Sequence, residues 1–468
     1  MTKSNAIKLA ACIALAVVLW FIPPLAGIDP QAWHLFAIFA PTIVGFVLKP
    51  LPIGVLTFIA LSLSILTGTL EPSQALGGFA NGVVWLIVAA FLFARAMVIS
   101  GLGHRIAYML MRNFGRTSLR LAYALSLSDV AVSPVIPSNT ARGGGIFYPI
   151  VQSTAEVFDS YPDKSRRKIG AFLTQAVFQT DITASALTVT AVAGNALMLS
   201  FAADIAGLDI SWGKWFLVAL LPAVVSIALT PWIVHKIYPP ELKETPEART
   251  FAETRLKDLG PMATREKVLL AILAIAIIGW ATTPFTGFNA TAIAMAAVCA
   301  MLVFNVLKWK DVIQESTAWD AMIWMGGILS LATALADLEF FAPISTWASD
   351  QFQSVPWPLT LLLLIVIYVL TTYGFASGVA HITAMYPVFL TIAIAAGAPA
   401  LLSAFTLAFA QSLSQGVTHY ASGPAAVFFG GGYVEQREWW RVGGIMAVIQ
   451  LVIWGVLGLV WWKVIGIW

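Results

Sequence analysis

The chain has 468 residues, of which 59% are hydrophobic and only 10% charged, with a formal net charge of +3 at pH 7. A soluble chain carries about 25% charge, so these values read as an integral membrane protein. The basic residues lie in short patches between apolar runs, which argues against a nucleic-acid partner. Cys12 and Cys299 both fall in apolar runs far apart in sequence, and suggest neither a disulfide nor a metal framework.

A helix needs about 20 apolar residues to cross a bilayer. Uninterrupted runs are predicted to span at 6–27, 33–48, 51–69, 82–101, 213–236, 267–284, 287–307, 319–336 and 443–466. The first follows Lys3 and leads straight into further apolar segments, so it reads as an uncleaved helix and not as a secretory signal. Four more runs are interrupted. Residues 120–153 contain Pro134, Pro137 and three glycines, and residues 357–395 contain Gly374, Gly378 and Pro387. Each is too long and too broken for one crossing, and is predicted as a re-entrant hairpin. Residues 169–206 and 399–430 follow them, broken by small and polar residues at 190–195 and 418–424.

Lysine and arginine favour cytoplasmic connections. A cytoplasmic N-terminus places Lys49, Arg105, Arg112, Arg116, Arg120, Lys164, Arg166, Arg167, Lys168, Lys308, Lys310, Arg437 and Arg441 inside. Asp29, Glu71, Asp209, Asp337, Glu339 and Asp350 then lie outside, with Lys214 and Lys463 as mild exceptions. The topology closes only if the first hairpin opens from inside and the second from outside. Arg95 falls near a cytoplasmic helix end and reads as snorkelling, while the tryptophans cluster near span ends as interface anchors. The mixed-charge stretch 237–267 reads as a solvated surface helix between two halves.

The halves correspond. Ser138-x-x-Ala141-Arg142 matches Ser377-x-x-Ala380-His381, and each leads to Tyr-Pro, at Tyr148-Pro149 and Tyr386-Pro387. The pattern predicts an all-α polytopic membrane protein, an inverted-repeat transporter with two re-entrant hairpins and two broken helices around a midplane site. Irregular backbone at membrane depth survives only when buried in protein or lining a wet cavity. Breaking a helix there leaves N–H groups unpaired and places partial positive charge at the new N-terminus, which suits a carboxylate.

In the first tip, Ser138, Asn139 and Thr140 offer hydrogen-bonding side chains, Gly143 allows close backbone approach, and Arg142 brings a planar fork suited to carboxylates. In the second, Ser377 supplies a hydroxyl and His381 stands at the repeat position of Arg142. Two facing tips suit a substrate with two carboxylates. Other readings exist for the same residues: glycines for helix packing, Arg142 bonding broken-helix carbonyls, and His381 as a satisfied core histidine. Asp129 and Asp181 could relay protons or pair with Arg142, and His419 reads as structural. Ser377 and His381 could also be imagined as a hydrolase pair, but no oxyanion arrangement is readable and the paired hairpins go unexplained. An anion channel has no need of an inverted pair of hairpins.

The string Pro137-Ser-Asn-Thr-Ala-Arg-Gly-Gly144, with Ala380-His381, resembles the divalent anion/sodium symporter family, in its 2-oxoglutarate/malate translocator and citrate/succinate antiporter branch. The similarity extends over most of the chain, through Gln31-Ala-Trp33, Leu51-Pro52, Ser211-Trp212, Gly423-Pro424 and Gly432-Tyr433-Val434. It implies a homodimer in lipid, working as an elevator. Scaffold parts would occupy 1–117 and 267–354, and mobile transport parts 118–236 and 355–468, joined by a cytoplasmic linker at 237–266. It further implies substrate or ion contacts at Ser138, Asn139 and Thr140, near Asn195, and near Ser422 and Gly423. The chain departs from the symporters where Ser377-Gly378-Val379 replaces a second Ser-Asn-Thr, removing two side-chain donors. Arg142, with a protonated His381, is therefore expected to stand in permanently for sodium as the counter-charge. The expected activity is sodium-independent exchange of dicarboxylates such as 2-oxoglutarate, malate or succinate, possibly extending to citrate, in a bacterial inner membrane. The competing expectation is sodium-coupled di- or tricarboxylate symport. No cofactor or metal is expected.

Overall fold

The computed structural model describes residues 2–25, 27–352 and 354–468. Among them there are helices, turns and loops, and the sole extended pairing is an isolated antiparallel bridge between Thr117 and Glu244. Eight described helices are long and apolar enough to cross a membrane, with four shorter apolar helices beside them. The uninterrupted spans become Lys3–Phe21, Pro30–Leu48, Ile53–Leu66, Gly82–Ser100, Trp212–Ile237, Thr264–Ala281, Ala290–Val303, Ser316–Asp337 and Gln436–Val464. Ala26, inside the first expected run, lies outside the described residues. Side-chain caps set several boundaries: Asp29, Asn81, Ser211 and Asn289 each accept from backbone N–H groups in the first turn of their helix.

Both hairpins are present. The first rises along Ser118–Val132, crosses an irregular tip, passes through a π-helical turn at Thr140–Phe147 and returns along Tyr148–Val157. The widened turn fits its sequence: Pro149 has no N–H for the carbonyl four residues earlier, and three glycines tolerate the unusual register. The second hairpin runs along Trp357–Thr371 and back along Gly378–Ala395. The broken helices are Gly170–Ser185 with Ala193–Ala206, and Ala400–Ser414 with Gly423–Gly430.

The repeat is visible in the packing. Each hairpin lies against the first half of its own broken helix, while its returning arm packs on the second half of the other. Thus the π-helical turn meets Gly423–Gly430, and Gly378–Ala395 meets Ala193–Ala206. The Tyr-Pro pairs follow suit: the Tyr148 ring lies 4.8 Å from Phe428, and that of Tyr386 6.5 Å from Phe201.

The hairpins and broken helices pack with Trp212–Ile237 and Gln436–Val464 into one group. A second group comprises Pro30–Leu48, Ile53–Leu66, Gly82–Ser100, Ala290–Val303 and Ser316–Asp337. They meet along an apolar seam where Ala193–Ala206 touches Ser316–Asp337 and Gly378–Ala395 touches Pro30–Leu48. A cavity of about 60 Å³ sits in the seam, among Phe39, Phe201, Leu335, Phe340 and Pro387.

Two surface helices were not expected from the hydropathy. Leu102–Phe114 buries Leu102, Ala107 and Met111, and its one apolar run, 106–111, is too short to cross a membrane. Ala342–Phe352 is the other. The 237–267 stretch is also more than a solvated helix. Its Pro246–Asp258 helix buries Ala248 and Ala252 and packs on Leu102–Phe114. The strand-like residues before it are stapled to the first hairpin's root, with Ser118 N–H donating to the Lys243 carbonyl and Thr245 N–H to that of Arg116, both at 3.0 Å.

The long last helix closes directly on the second break. A methyl group on Gly443 would meet the Gly416 carbonyl oxygen and sit 2.8 Å from Val417 Cα, both backbone atoms that cannot rotate aside. Gly443→Ala is therefore expected to cost about 1–3 kcal/mol, read as a lowered unfolding temperature in detergent, whereas Gly444→Ala, facing open space, should leave it unchanged.

Candidate substrate site

The first tip and the second break meet. Thr140 stands directly against Gly423, so closely that any Cβ there would collide with its hydroxyl, and Gly144 faces Val427. Ser138 turns the tip: its Oγ accepts from Ala141 N–H at 3.1 Å and its carbonyl from Arg142 N–H at 2.9 Å. Asn139 is 9% exposed and makes no capping bond. Ser422 begins the helix Gly423–Gly430, and its Oγ is buried without a partner. Ser138, Asn139, Thr140, Ser422 and Gly423 thus form one contiguous surface. Ser377 caps the second tip, its Oγ accepting from Ala380 N–H at 3.4 Å.

Arg142 lies elsewhere than expected. It is wholly buried and all three guanidinium nitrogens are engaged within the protein. Nε donates to Asp129 Oδ1 at 2.7 Å. Nη1 donates to the Ala191 carbonyl at 2.9 Å and that of Ile136 at 3.3 Å. Nη2 donates to Asp181 Oδ1 at 2.8 Å, Ser185 Oγ at 3.1 Å and the Asp181 carbonyl at 3.3 Å. Gly143 packs over Asp181, a methyl there sitting 3.0 Å from the carboxyl carbon. Arg142 is therefore no free cation facing a ligand. It fills the ring of carbonyls that the first break and first tip leave unpaired, with two acids beside it. Of the readings open for Asp129 and Asp181, the pairing with Arg142 is the one observed.

His381 has the same fate. It is buried, with Nδ1 at 2.5 Å from Gln411 Oε1 and Nε2 at 2.9 Å from Thr371 Oγ1, between the rings of Tyr368 and Phe375. The two clusters correspond position for position. Arg142 binds Asp129 on its hairpin's first arm and Asp181 on the adjoining broken helix; His381 binds Thr371 and Gln411 at the same two places. The first half brackets its central residue with two carboxylates, the second with a hydroxyl and a carboxamide. Asn195 is also engaged within the protein, its Nδ2 donating to the carbonyls of Ser185 and Thr188 at 2.7 and 2.9 Å and its Oδ1 accepting from Ser412 Oγ at 3.4 Å. His419 accepts from Trp440 Nε1 at 3.1 Å and stacks on Phe429, as the structural reading has it.

The first break is otherwise well satisfied. Trp215 Nε1 donates to the Ala186 carbonyl, Trp212 Nε1 to Thr190 Oγ1, and Thr190 Oγ1 to the Pro134 carbonyl. Thr188 Oγ1 is left there, with the second carboxyl oxygens of Asp129 and Asp181, and the second break carries Gln411 Nε2, Thr418 Oγ1 and Ser422 Oγ, all buried and unpartnered. Buried polar atoms are normally paired, and both breaks bring unpaired ones to the region between the tips, with three hydroxyls, those of Thr188, Thr418 and Ser422, among them. No group of His, Cys, Asp and Glu among the described residues could hold a metal ion.

The family model for the sodium:sulfate symporter transmembrane region matches residues 3–468. YflS of Bacillus subtilis (strain 168), a candidate malate transporter by its name, is 42% identical over 470 residues, covering 100% of this chain and 98% of its own. Dicarboxylate transporter 2, chloroplastic, of Spinacia oleracea is 40% identical over 474 residues, covering 100% of this chain and 84% of its own. Inner membrane protein YbhI of Escherichia coli (strain K12) is 36% identical over 479 residues, covering 100% and 99%. The YdaH transporter of Alcanivorax borkumensis aligns with a TM-score of 0.58 over 98% of both chains at 14% identity, a likeness of fold alone.

Removing one partner from a buried ion pair leaves the others uncompensated, at about 3–5 kcal/mol. Arg142→Ala should accordingly lose folded protein and unfolding temperature in detergent, and not merely substrate affinity. Arg142→Lys, which keeps the charge but not the fork, should fall between the two.

Proposed function

The chain belongs to the sodium:sulfate (divalent anion/sodium) symporter family, and from that premise we propose that it exchanges dicarboxylates across a bacterial inner membrane without sodium. It is an integral multi-pass membrane transporter and not an enzyme. The substrate class is supported by the dicarboxylate and malate names of full-length relatives at 40–42% identity. It also fits two N-terminal helix ends, at Gly378 and Gly423, each suited to one carboxylate.

The observation that carries sodium independence is the guanidinium of Arg142. The oxygens of Ile136, Asp181, Ser185 and Ala191, of the kind a hard cation takes as ligands, already surround a cation that cannot leave. Exchange no longer rests on a free positive pocket, since Arg142 and His381 are both enclosed. It rests on Thr188, Thr418 and Ser422, whose buried hydroxyls have no protein partner. Unpaired buried groups cost about 1–3 kcal/mol each, so an empty site crosses the apolar seam less readily than a filled one.

An elevator movement is supported by the seam between the two packed groups, read as scaffold and transport parts with the boundaries expected above, and by the position of the second tip. Lys49 Nζ, at the predicted cytoplasmic end of Pro30–Leu48, donates to the Ala376 carbonyl at 3.3 Å. A hairpin rooted at the outer face therefore reaches the inner end of a scaffold helix, as an inward-facing state requires. A cavity of about 470 Å³ lies at the predicted outer side, lined by Asn81, Asp209, Ser211, Thr283 and Asn289 and extending to Val189. The working unit is read as a homodimer, as the family resemblance implies.

In proteoliposomes, labelled malate should enter in sodium-free buffer when unlabelled dicarboxylate is inside, and hardly at all without it; net uptake that requires sodium overturns the exchanger in favour of the symporter. A cysteine replacing the exposed Ala376 should react with an impermeant maleimide from the cytoplasmic side, and protection from that side under all conditions would oppose the inward-facing reading.

A further inference from the structure

The corresponding brackets leave one residue unaccounted for. Ser185 stands one helical turn after Asp181 and adds a third ligand to Arg142. Its counterpart, one turn after Gln411, is Gln415. The imidazole of His381 has only two nitrogens, already engaged by Thr371 and Gln411. Gln415 therefore has nothing to bracket. Its side chain is 8% exposed, makes no hydrogen bond, and lies across Gly378, where an added methyl would sit 2.8 Å from Nε2 and 3.2 Å from Oε1. Gly378 begins the returning arm of the second hairpin, at the position where the symporter pattern carries an asparagine. The missing side chain on the tip is thus matched by an unengaged carboxamide arriving from the adjacent break, the same break in which the hydroxyls of Thr418 and Ser422 are unpartnered.

We propose that Gln415 is a substrate-binding residue, its carboxamide occupying the space left by Gly378 and donating its N–H groups to the carboxylate held at the second tip. A primary amide supplies two donors and one acceptor. It can grip a carboxylate and still accept from a hydroxyl on the adjacent carbon, which favours 2-hydroxy dicarboxylates over their unsubstituted analogues. Glycine at 378 is then a requirement of this arrangement and not a loss of function. The proposal rests on the dicarboxylate site placed between the tips.

The test is sodium-free counterflow of labelled malate, with unlabelled succinate as competitor, using wild type, Gln415→Met, Gln415→Glu, Gly378→Ala and the double variant Gly378→Asn/Gln415→Ala. Gln415→Met keeps volume and removes the donors, and should raise the half-saturation concentration for malate about tenfold or more while reducing the preference for malate over succinate. Gln415→Glu places a carboxylate against a carboxylate and should abolish exchange. Gly378→Ala should impair exchange by displacing the carboxamide. The double variant, which moves the amide back onto the tip, should recover part of what Gly378→Ala loses. Unfolding temperatures within a few degrees of wild type qualify each variant; should Gln415→Met fall outside them, the Gly378→Ala and double-variant pair decides. Wild-type half-saturation and selectivity in Gln415→Met overturn the assignment alone, as does a double variant no better than Gly378→Ala. A wild-type chain that exchanges no dicarboxylate overturns the carrier reading, and the assignment with it.

Discussion

The guanidinium of Arg142 is the interaction on which the first half of the molecule depends. Interrupting a helix inside a bilayer exposes carbonyls that lipid cannot satisfy. Here the first tip and first break supply such groups from Ile136, Asp181 and Ala191, and one planar fork reaches all of them. A positive charge so deeply buried is tolerable only with opposite charge at contact distance, which Asp129 and Asp181 provide. The irregular backbone, the guanidinium and the two acids therefore stand or fall together.

The second half solves the same problem without an ion pair. Thr371, His381 and Gln411 occupy the places of Asp129, Arg142 and Asp181, and a ring of hydrogen bonds replaces the ion cluster. The difference carries over to the adjoining breaks. The first is bonded by Trp212, Trp215, Arg142 and Asn195 and leaves Thr188 Oγ1 and single oxygens of Asp129 and Asp181 unpartnered, while the second leaves the hydroxyls of Thr418 and Ser422 and the amide nitrogen of Gln411. An architecture symmetric in its backbone is thus asymmetric in its chemistry: a guanidinium and two carboxylates in one half, an imidazole, hydroxyls and a carboxamide in the other.

Much of the architecture was legible because proline and glycine interrupt hydrophobic runs in ways a bilayer-spanning helix cannot absorb. Pro134, Pro137 and Gly143 marked the first hairpin, and Gly374, Gly378 and Pro387 the second. The matching spacings of Ser138 to Arg142 and Ser377 to His381 carry the repeat in the sequence itself. The direction in which those side chains point was not legible. Asp129 lies 13 residues before Arg142 and Asp181 39 residues after it, and no local pattern says that both converge on it. Sequence reasoning therefore faced the fork toward a ligand when the structure turns it inward. Gln415 escaped for the opposite reason, since a glutamine in a polar break has no signature, and only its contact with Gly378 distinguishes it. The surface helix Leu102–Phe114 escaped because its apolar run, 106–111, is too short to read as a span.

The segment linking the halves is bonded on both sides of the first hairpin. Besides Arg116 and Ser118, it reaches Arg167 and Lys168 through the N–H groups of Glu241 and Leu242. Those residues border the first broken helix, so the linker is riveted to the inner rim of the body that carries the site. The linker's Pro246–Asp258 helix packs on Leu102–Phe114, in the part read as scaffold, so if that body slides as proposed the linker is the joint between the two. Anything gripping it would add drag to the stroke and slow turnover without ever approaching the anion.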